Sequence, residues 1–348
     1  MKSEANSIHN FLKNISLIFD YRKKCSIFAS TNSATLPIEQ RTRAELLLLY
    51  LMEYSKSPIS YIQQIEMLKE RGLLIQDEEQ ALKELRIISY FRLANYLRPM
   101  ELDKTTHQFK ANSYFENALS LYYFDKKLRA LVFTAIQSIE IALRTQMIHH
   151  VSMKYGAFWF MDNTICEDEK MFQDNLARIQ QEVKRSKEDF IQEHFSKYKS
   201  PSLPPVWKTL EVISFGTLSK LYCNLADNTV KKQIAREFNL PQHLYLESWI
   251  KCAAVLRNCV AHHARIWNRR FPLKPQLPRK LKGSWIDVSH TEQVKFYAQL
   301  CYLAYLQDCI HPDNTFKKEL LDLLAAYPNV DTRAMGFPED WQSEPLWN

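Results

Sequence analysis

Arg257, Asn258 and His262 stand within the stretch RNCVAHH, residues 257–263. Their types suit work on a phosphodiester. Cleaving RNA needs a base for the ribose 2′-OH, an acid for the leaving 5′-oxygen and positive charge for the crowded phosphorus. Histidine titrates near neutral pH and can take either proton role, and arginine offers a planar fork of donors that fits phosphate oxygens. Asparagine adds a neutral donor. If the stretch is helical, Asn258 and His262 lie only about 40° apart around the axis, whereas Arg257 and His262 are about 140° apart. One helix of this kind supplies a single imidazole, and two copies facing each other across a symmetric dimer would supply both acid and base. The same residues equally suit the polar edge of a buried helix. The pattern is short, and Arg144 to His149 repeats its spacing without the asparagine. There Glu140 and Arg144 have the i, i+4 spacing of an ordinary helical ion pair.

Charge favours a polyanionic partner. The chain of 348 residues carries 46 basic and 39 acidic residues, a formal net charge of +7. Nine of the basic residues fall between Lys251 and Lys282, where there is no Asp or Glu, leaving 37 basic residues against 39 acidic ones elsewhere. Such a patch concentrates and neutralises phosphates, so nucleic acid is the expected partner and the stretch is its expected contact. The five glycines are scattered, which argues against a phosphate-cradling P-loop or Rossmann turn. No metal or cofactor motif is present. Seven cysteines without a CxxC pair suit a reducing compartment and read as small buried hydrophobes. Charges at Asp20, Arg22, Lys23 and Lys24 interrupt the apolar N-terminal stretch, and no apolar run is long enough to span a membrane. A cytoplasmic protein with no membrane association is expected.

The elements that must position these residues read as helices. Residues 1–57 form an N-terminal extension with one helix over Arg43 to Tyr54, and residues 58–112 a small, mostly helical subdomain with a hairpin around Asp103 to Thr106. In the subdomain Gly72 closes one helix and Asp77 with Gln80 opens the next. Residues 113–330 form a helical bundle, with a long helix from Ser113 to about Met153, a charged helical stretch over 163–198, and a helix over 207–222 that restarts near Gly216. Further helices are expected over Val230 to Phe238, His243 to about Trp267, Glu292 to Ile310 and Phe316 to Ala326. Residues 331–348 form a C-terminal tail. The fold class is all-α. The helix from His243 places Leu246, Trp249, Ile250, Ala253, Leu256 and Val260 on one face, so it packs centrally with Arg257 and His262 at its edge.

Ordered motifs carry a family resemblance. RLANYLRPM, SIEIALRT (138–145), KYGAFW (154–159), PPVWKTLEVISFGTLSKLY (204–222), LRNCVAHHARIWNR (256–269) and MGFPEDWQSEPLW occur in this order. Over residues 58–348 the chain closely resembles the Abi family of bacterial abortive-infection proteins, of the AbiD and AbiF type. That family is similar to a branch of the HEPN superfamily, helical-bundle proteins among which many are metal-independent endoribonucleases with an Arg-Asn…His signature at a dimer cleft. The resemblance implies a HEPN-like bundle and catalytic roles for Arg257, Asn258 and His262. It implies supporting roles for Glu140, Arg144 and His263, and phage defence by RNA cleavage in a homodimer. A restraining partner, a small RNA or a protein, is implied as well. RNA contact is expected from Arg265, Trp267, Arg269, Arg270, Lys274, Arg279, Lys280 and Lys282, with base stacking on Trp207 and Trp267 set against a core role for both. The rival reading is a non-catalytic RNA-binding module or adaptor, and a further one is duplex DNA binding by residues 58–100.

Overall fold

The computed structural model describes residues 57–348, of which residues 61–348 form one compact unit. The extension expected over residues 1–57, with its helix from Arg43 to Tyr54, lies outside the described residues except for its last position. The described chain is helical. Three short helices come first: α1 (Tyr61–Glu70), α2 (Glu78–Ile87) and α3 (Tyr90–Leu97). Gly72, at φ +85°, takes the left-handed position that ends α1, with Gly72 N–H donating to Lys69 O and Leu73 N–H to Leu68 O. Asp77 caps α2 by accepting from the backbone N–H of Gln80 at 2.8 Å. A two-stranded antiparallel hairpin, β1 (Glu101–Asp103) and β2 (Gln108–Phe109), completes the small subdomain.

The long helix α4 (Phe115–Tyr155) runs for 41 residues, roughly 60 Å, and is the axis of the molecule. Its first turn belongs to the subdomain, since Phe115, Ala118 and Leu119 pack with Leu68, Leu85 and Leu93. From Phe124 onward the stripe Leu128, Val132, Ile136, Ile139, Leu143, Met147 and Val151 belongs to the main core. The two hydrophobic clusters thus share one helix and divide within it, between Leu119 and Phe124, a little beyond the boundary expected at 112/113. Around α4 stand α5 (Glu169–Arg185), α6 (Asp189–Lys197), α7 (Val206–Val212), α8 (Phe215–Cys223), α9 (Asn228–Glu237), α10 (His243–Ala261), α11 (Phe296–Ile310) and α12 (Phe316–Ala326). Helix α11 is buried all round from Phe296 to Gln307, and such a helix can only sit in the centre of a bundle.

Several boundaries differ from expectation, each for a local reason. The stretch 163–198 is broken at Ser186–Glu188, and the 207–222 helix restarts at Ser214, whose hydroxyl accepts from Thr217 N–H, slightly earlier than Gly216 implies. Residues 331–348 are no loose tail. Met335, Phe337, Trp341, Leu346 and Trp347 join the main core, and the Trp347 indole N–H donates to the Tyr297 hydroxyl at 2.9 Å. Short 3-10 turns with no helical period carry these side chains inward, which is why periodicity does not register them.

Candidate functional site

Helix α10 buries Leu246, Trp249, Ile250, Cys252, Ala253, Leu256 and Val260, and this fixes which way its polar residues face. Asn258 and His262 are exposed and Arg257 is half-buried. The helix ends at Ala261, well short of the expected Trp267. His262 N–H still donates to Asn258 O at 3.0 Å, so the helical spacing of the pair survives to His262. His263 then turns left-handed, at φ +57°, with His263 N–H on Val260 O and Ala264 N–H on Cys259 O. This is the Schellman closure that Gly72 makes in α1, with histidine where glycine is the usual choice.

A buried carboxylate explains why the helix stops. Asp125, fully buried on α4, accepts the backbone N–H groups of Ile266 at 3.1 Å and Trp267 at 2.7 Å, the Tyr96 hydroxyl at 2.6 Å and the Arg129 guanidinium. Burial pushes the Asp125 carboxyl upward, opposed by Arg129, Tyr96 and the two backbone donors. From α3, Arg92 donates to His263 O at 2.8 Å, and Asn95 O accepts from Arg265 at 3.0 Å. The turn bearing His262 and His263 is thus held from α3 and α4 at once. None of these holders belongs to the site expected from sequence. The available signal is an Asp–Arg pair at i, i+4, Asp125 and Arg129, lying within the apolar stripe of α4.

Glu140 and Arg144 do gather beside Arg257. Arg144 donates to Glu140 Oε1 at 3.0 Å and lies 3.6 Å from Glu211 Oε2 on α7. Burial pushes the Glu140 carboxyl above the usual carboxylate range, against the pull of Arg144 and then Arg257. The Nε atoms of Arg144 and Arg257 are buried without a hydrogen-bond partner. Among the described residues the side chains of Asn258, His262 and His263 make no hydrogen bond, so the asparagine–histidine contact that helical spacing permits is not formed within one chain.

The basic stretch is irregular yet fixed. Trp249 donates to Gln276 O and Trp285 to Pro278 O, both at 2.8 Å, while the Tyr305 hydroxyl reaches Lys282 O at 3.0 Å. Arg270, Lys274, Arg279, Lys280 and Lys282 stand on this frame, all five exposed. Three other residues expected to contact RNA are committed elsewhere. Trp267 is 4 % exposed and packs in the core, so it has no free face for a base, whereas Trp207 is half exposed. Arg265 lies over the Trp267 ring, with burial pulling its guanidinium downward, and Arg269 binds Arg265 O. Of the described cysteines, Cys252 and Cys301 are buried and the others half-buried. Among the described residues no group of three His, Cys, Asp or Glu side chains is placed to hold a metal ion, and no helix is long and apolar enough to cross a membrane.

Residues 83–268, more than half of the chain, match the family described as Abi-like protein. The chain belongs to the Abi-like family. Membership associates it with abortive infection, a form of phage defence. The matched span takes in Asp125, Glu140, Arg144, Arg257, Asn258 and His262, and it ends at Asn268, before the pinned basic loop of this Abi-like protein. No curated protein and no solved structure matches the chain.

Proposed function

We propose that this Abi-like protein is a metal-independent endoribonuclease of HEPN type, acting in phage defence through a composite site between two copies of the chain. The observation that carries the reading is the polar group at the end of α10. Asn258 and His262 are exposed and unbonded, while Arg257 has a buried, unpartnered Nε beside Glu140 and Arg144. A buried donor without a partner costs about 1–3 kcal/mol, and a fold keeps such a group where something else satisfies it. Large apolar side chains also stand in solvent nearby in the chain, Ile141 next to Glu140 (59 % exposed) and Phe91 next to Arg92 (84 %). A two-fold contact over this face would cover them and bring two imidazoles together.

In that cleft one His262 takes the proton of the ribose 2′-OH as its oxygen attacks phosphorus. The P–O5′ bond breaks, and the second His262 delivers a proton to the departing oxygen. Arg257 stabilises the charge that grows on the phosphoryl oxygens, and Asn258 orients the histidine or the phosphate. The products are a 2′,3′-cyclic phosphate and a 5′-hydroxyl. Glu140 and Arg144 hold Arg257 in place. The cations from Arg270 to Lys282 steer and retain the RNA, and an RNA or protein partner restrains the activity in uninfected cells.

The test compares RNA with its 2′-deoxy analogue, each with and without chelator, using the full chain. Cleavage of RNA alone, insensitive to chelator and reduced about a hundredfold or more by His262→Ala, is the expected result. RNA binding without cleavage would leave the non-catalytic module as the better reading. Tighter binding of duplex DNA than of other polyanions would favour the DNA reading for residues 58–100.

A further inference from the structure

The cation-rich stretch after α10 does not stand alone, because helix α3 of the subdomain is locked onto it. Two bonds cross this contact in opposite directions: Arg92 of α3 donates to His263 O at 2.8 Å, and Arg265 of the turn donates to Asn95 O at 3.0 Å. Arg92 and Asn95 are i and i+3, so one face of α3 meets the turn. Arg98 follows Asn95 by three more residues and is still right-handed helical, which sets this exposed arginine beside the same contact. Burial lowers the Arg265 guanidinium, and the neighbouring charges of Arg269 and then Arg98 lower it further, against the pull of Asp125 and Tyr96.

A run of cations therefore continues from one element to the other, with Arg92 and Arg98 on the α3 side and Arg265, Arg269 and Arg270 after α10. Residues 89–100 and 257–282 contain no Asp or Glu. Among the described residues none of these five arginines makes an ion pair, whereas Arg129 and Arg144 each hold a carboxylate. The carboxylate of the network, Asp125, is fully buried and already taken by Arg129, the Tyr96 hydroxyl and two backbone N–H groups. Arg92 and Arg265 each spend a donor on a carbonyl, but a guanidinium has five. Gathered cations without a counter-charge repel one another, and a polyanion laid across them removes that repulsion, its phosphate oxygens fitting the guanidinium forks. We infer that α3 forms one wall of an RNA-binding channel that leads to His262, with the exposed Arg98 and Arg270 each on a backbone phosphate of a single-stranded RNA.

The inference deepens the proposed function and rests on it for the identity of the partner. It adds the subdomain to the substrate site, where the sequence places RNA contact after α10 alone. The link to the chemistry is short, because Arg92 grips the carbonyl of the residue next to His262. A strand lying along α3 is thus delivered to the imidazole.

Binding of a single-stranded oligouridylate to the full chain, followed by fluorescence anisotropy at several salt concentrations, tests the channel, with His262→Ala as the background so that the RNA stays intact. Arg98→Ala should flatten the slope of log affinity against log salt by about 0.7, and Arg98→Ala with Arg270→Ala by about 1.4. At 0.1 M salt the single change corresponds to roughly fivefold weaker binding. Both residues are exposed, so their loss leaves the fold intact. Arg98→Lys should restore the slope, because a lysine still neutralises a phosphate, and Arg178→Ala, which removes an exposed arginine from α5, should leave it unchanged. With His262 present, Arg98→Ala should raise KM and leave kcat as it is, since the contact is the same in ground and transition states. No binding of the RNA, a full slope in Arg98→Ala, no rescue by Arg98→Lys or an equal loss in Arg178→Ala would each overturn the inference. So would a loss confined to duplex DNA, which would hand α3 to the DNA reading. If no RNA is cleaved, the slopes still decide on the channel, and if RNA is cleaved while the slopes stay fixed, the channel wall falls and the cleavage chemistry stands.

Discussion

His263 is a histidine in a glycine's place. At φ +57° its Cβ crowds the backbone, and a left-handed residue with a side chain costs about 1–2 kcal/mol relative to the right-handed region. His263→Gly should therefore raise stability by about 1 kcal/mol, seen as a higher denaturant midpoint with unchanged slope. A lower midpoint would mean that the imidazole makes a contact worth more than the strain. Asp125 lies at the other extreme. Removing it leaves the Arg129 guanidinium buried and frees the N–H groups of Ile266 and Trp267, so Asp125→Ala should cost about 3–5 kcal/mol, measured the same way. A change below about 1 kcal/mol would show that water replaces the carboxylate. These two residues mark what sequence can and cannot reveal. The helical placement of Arg257, Asn258 and His262 is legible because their relation is local, a matter of turns along one helix. Asp125 acts on backbone groups far along the chain, at Ile266 and Trp267, and hydrophobic periodicity records that a position is buried without naming its partner.

The same division holds for elements. The helix from Phe316 to Ala326 is legible at its true bounds because its pattern is local, whereas the sequence carries α10 through to about Trp267 because the apolar face from Leu246 to Val260 meets no Gly or Pro before Pro272. Tertiary hydrogen bonds from Asp125 and Arg92 decide that boundary. The loop over 271–285 reads as irregular from Pro272, Pro275 and Pro278, but its fixed shape does not show, because Trp249, Trp285 and Tyr305 pin it through carbonyls that no side-chain pattern encodes. A fixed loop with cations on its surface makes a quantitative expectation possible. Each phosphate that a cation no longer neutralises lowers the slope of log affinity against log salt by about 0.7 for single-stranded nucleic acid. Replacing Lys274, Arg279, Lys280 and Lys282 together by alanine should flatten the slope for single-stranded RNA by roughly 2–3. Fold stability should stay nearly unchanged, because none of the four is buried. An unchanged slope would remove the loop from the RNA path. The binding titration at several salt concentrations gives the answer even if cleavage is absent.

At the scale of the whole molecule, one chain presents one His262, and an acid–base reaction at neutral pH draws on two proton-transfer groups. If the second comes from a two-fold mate, a dimer with one wild-type and one His262→Ala chain lacks either its base or its acid, and forgoes the roughly 10²–10⁴-fold that such a group contributes. Mixed dimers would then be nearly silent. When wild-type and His262→Ala chains are unfolded and refolded together in varied ratio, random pairing makes the fraction of fully wild-type dimers the square of the wild-type fraction. An equal mixture should retain about a quarter of the activity of undiluted wild-type protein at the same total concentration. Chains that act singly would retain about half, as would dimers in which each cleft is complete without its mate. Arg257→Ala in place of His262→Ala should lie between these curves, because one guanidinium left in a shared cleft still bears on the phosphorane. The curve for His262→Ala thus separates a shared cleft from two independent ones, and a straight-line dependence would sink the composite site while leaving the fold untouched.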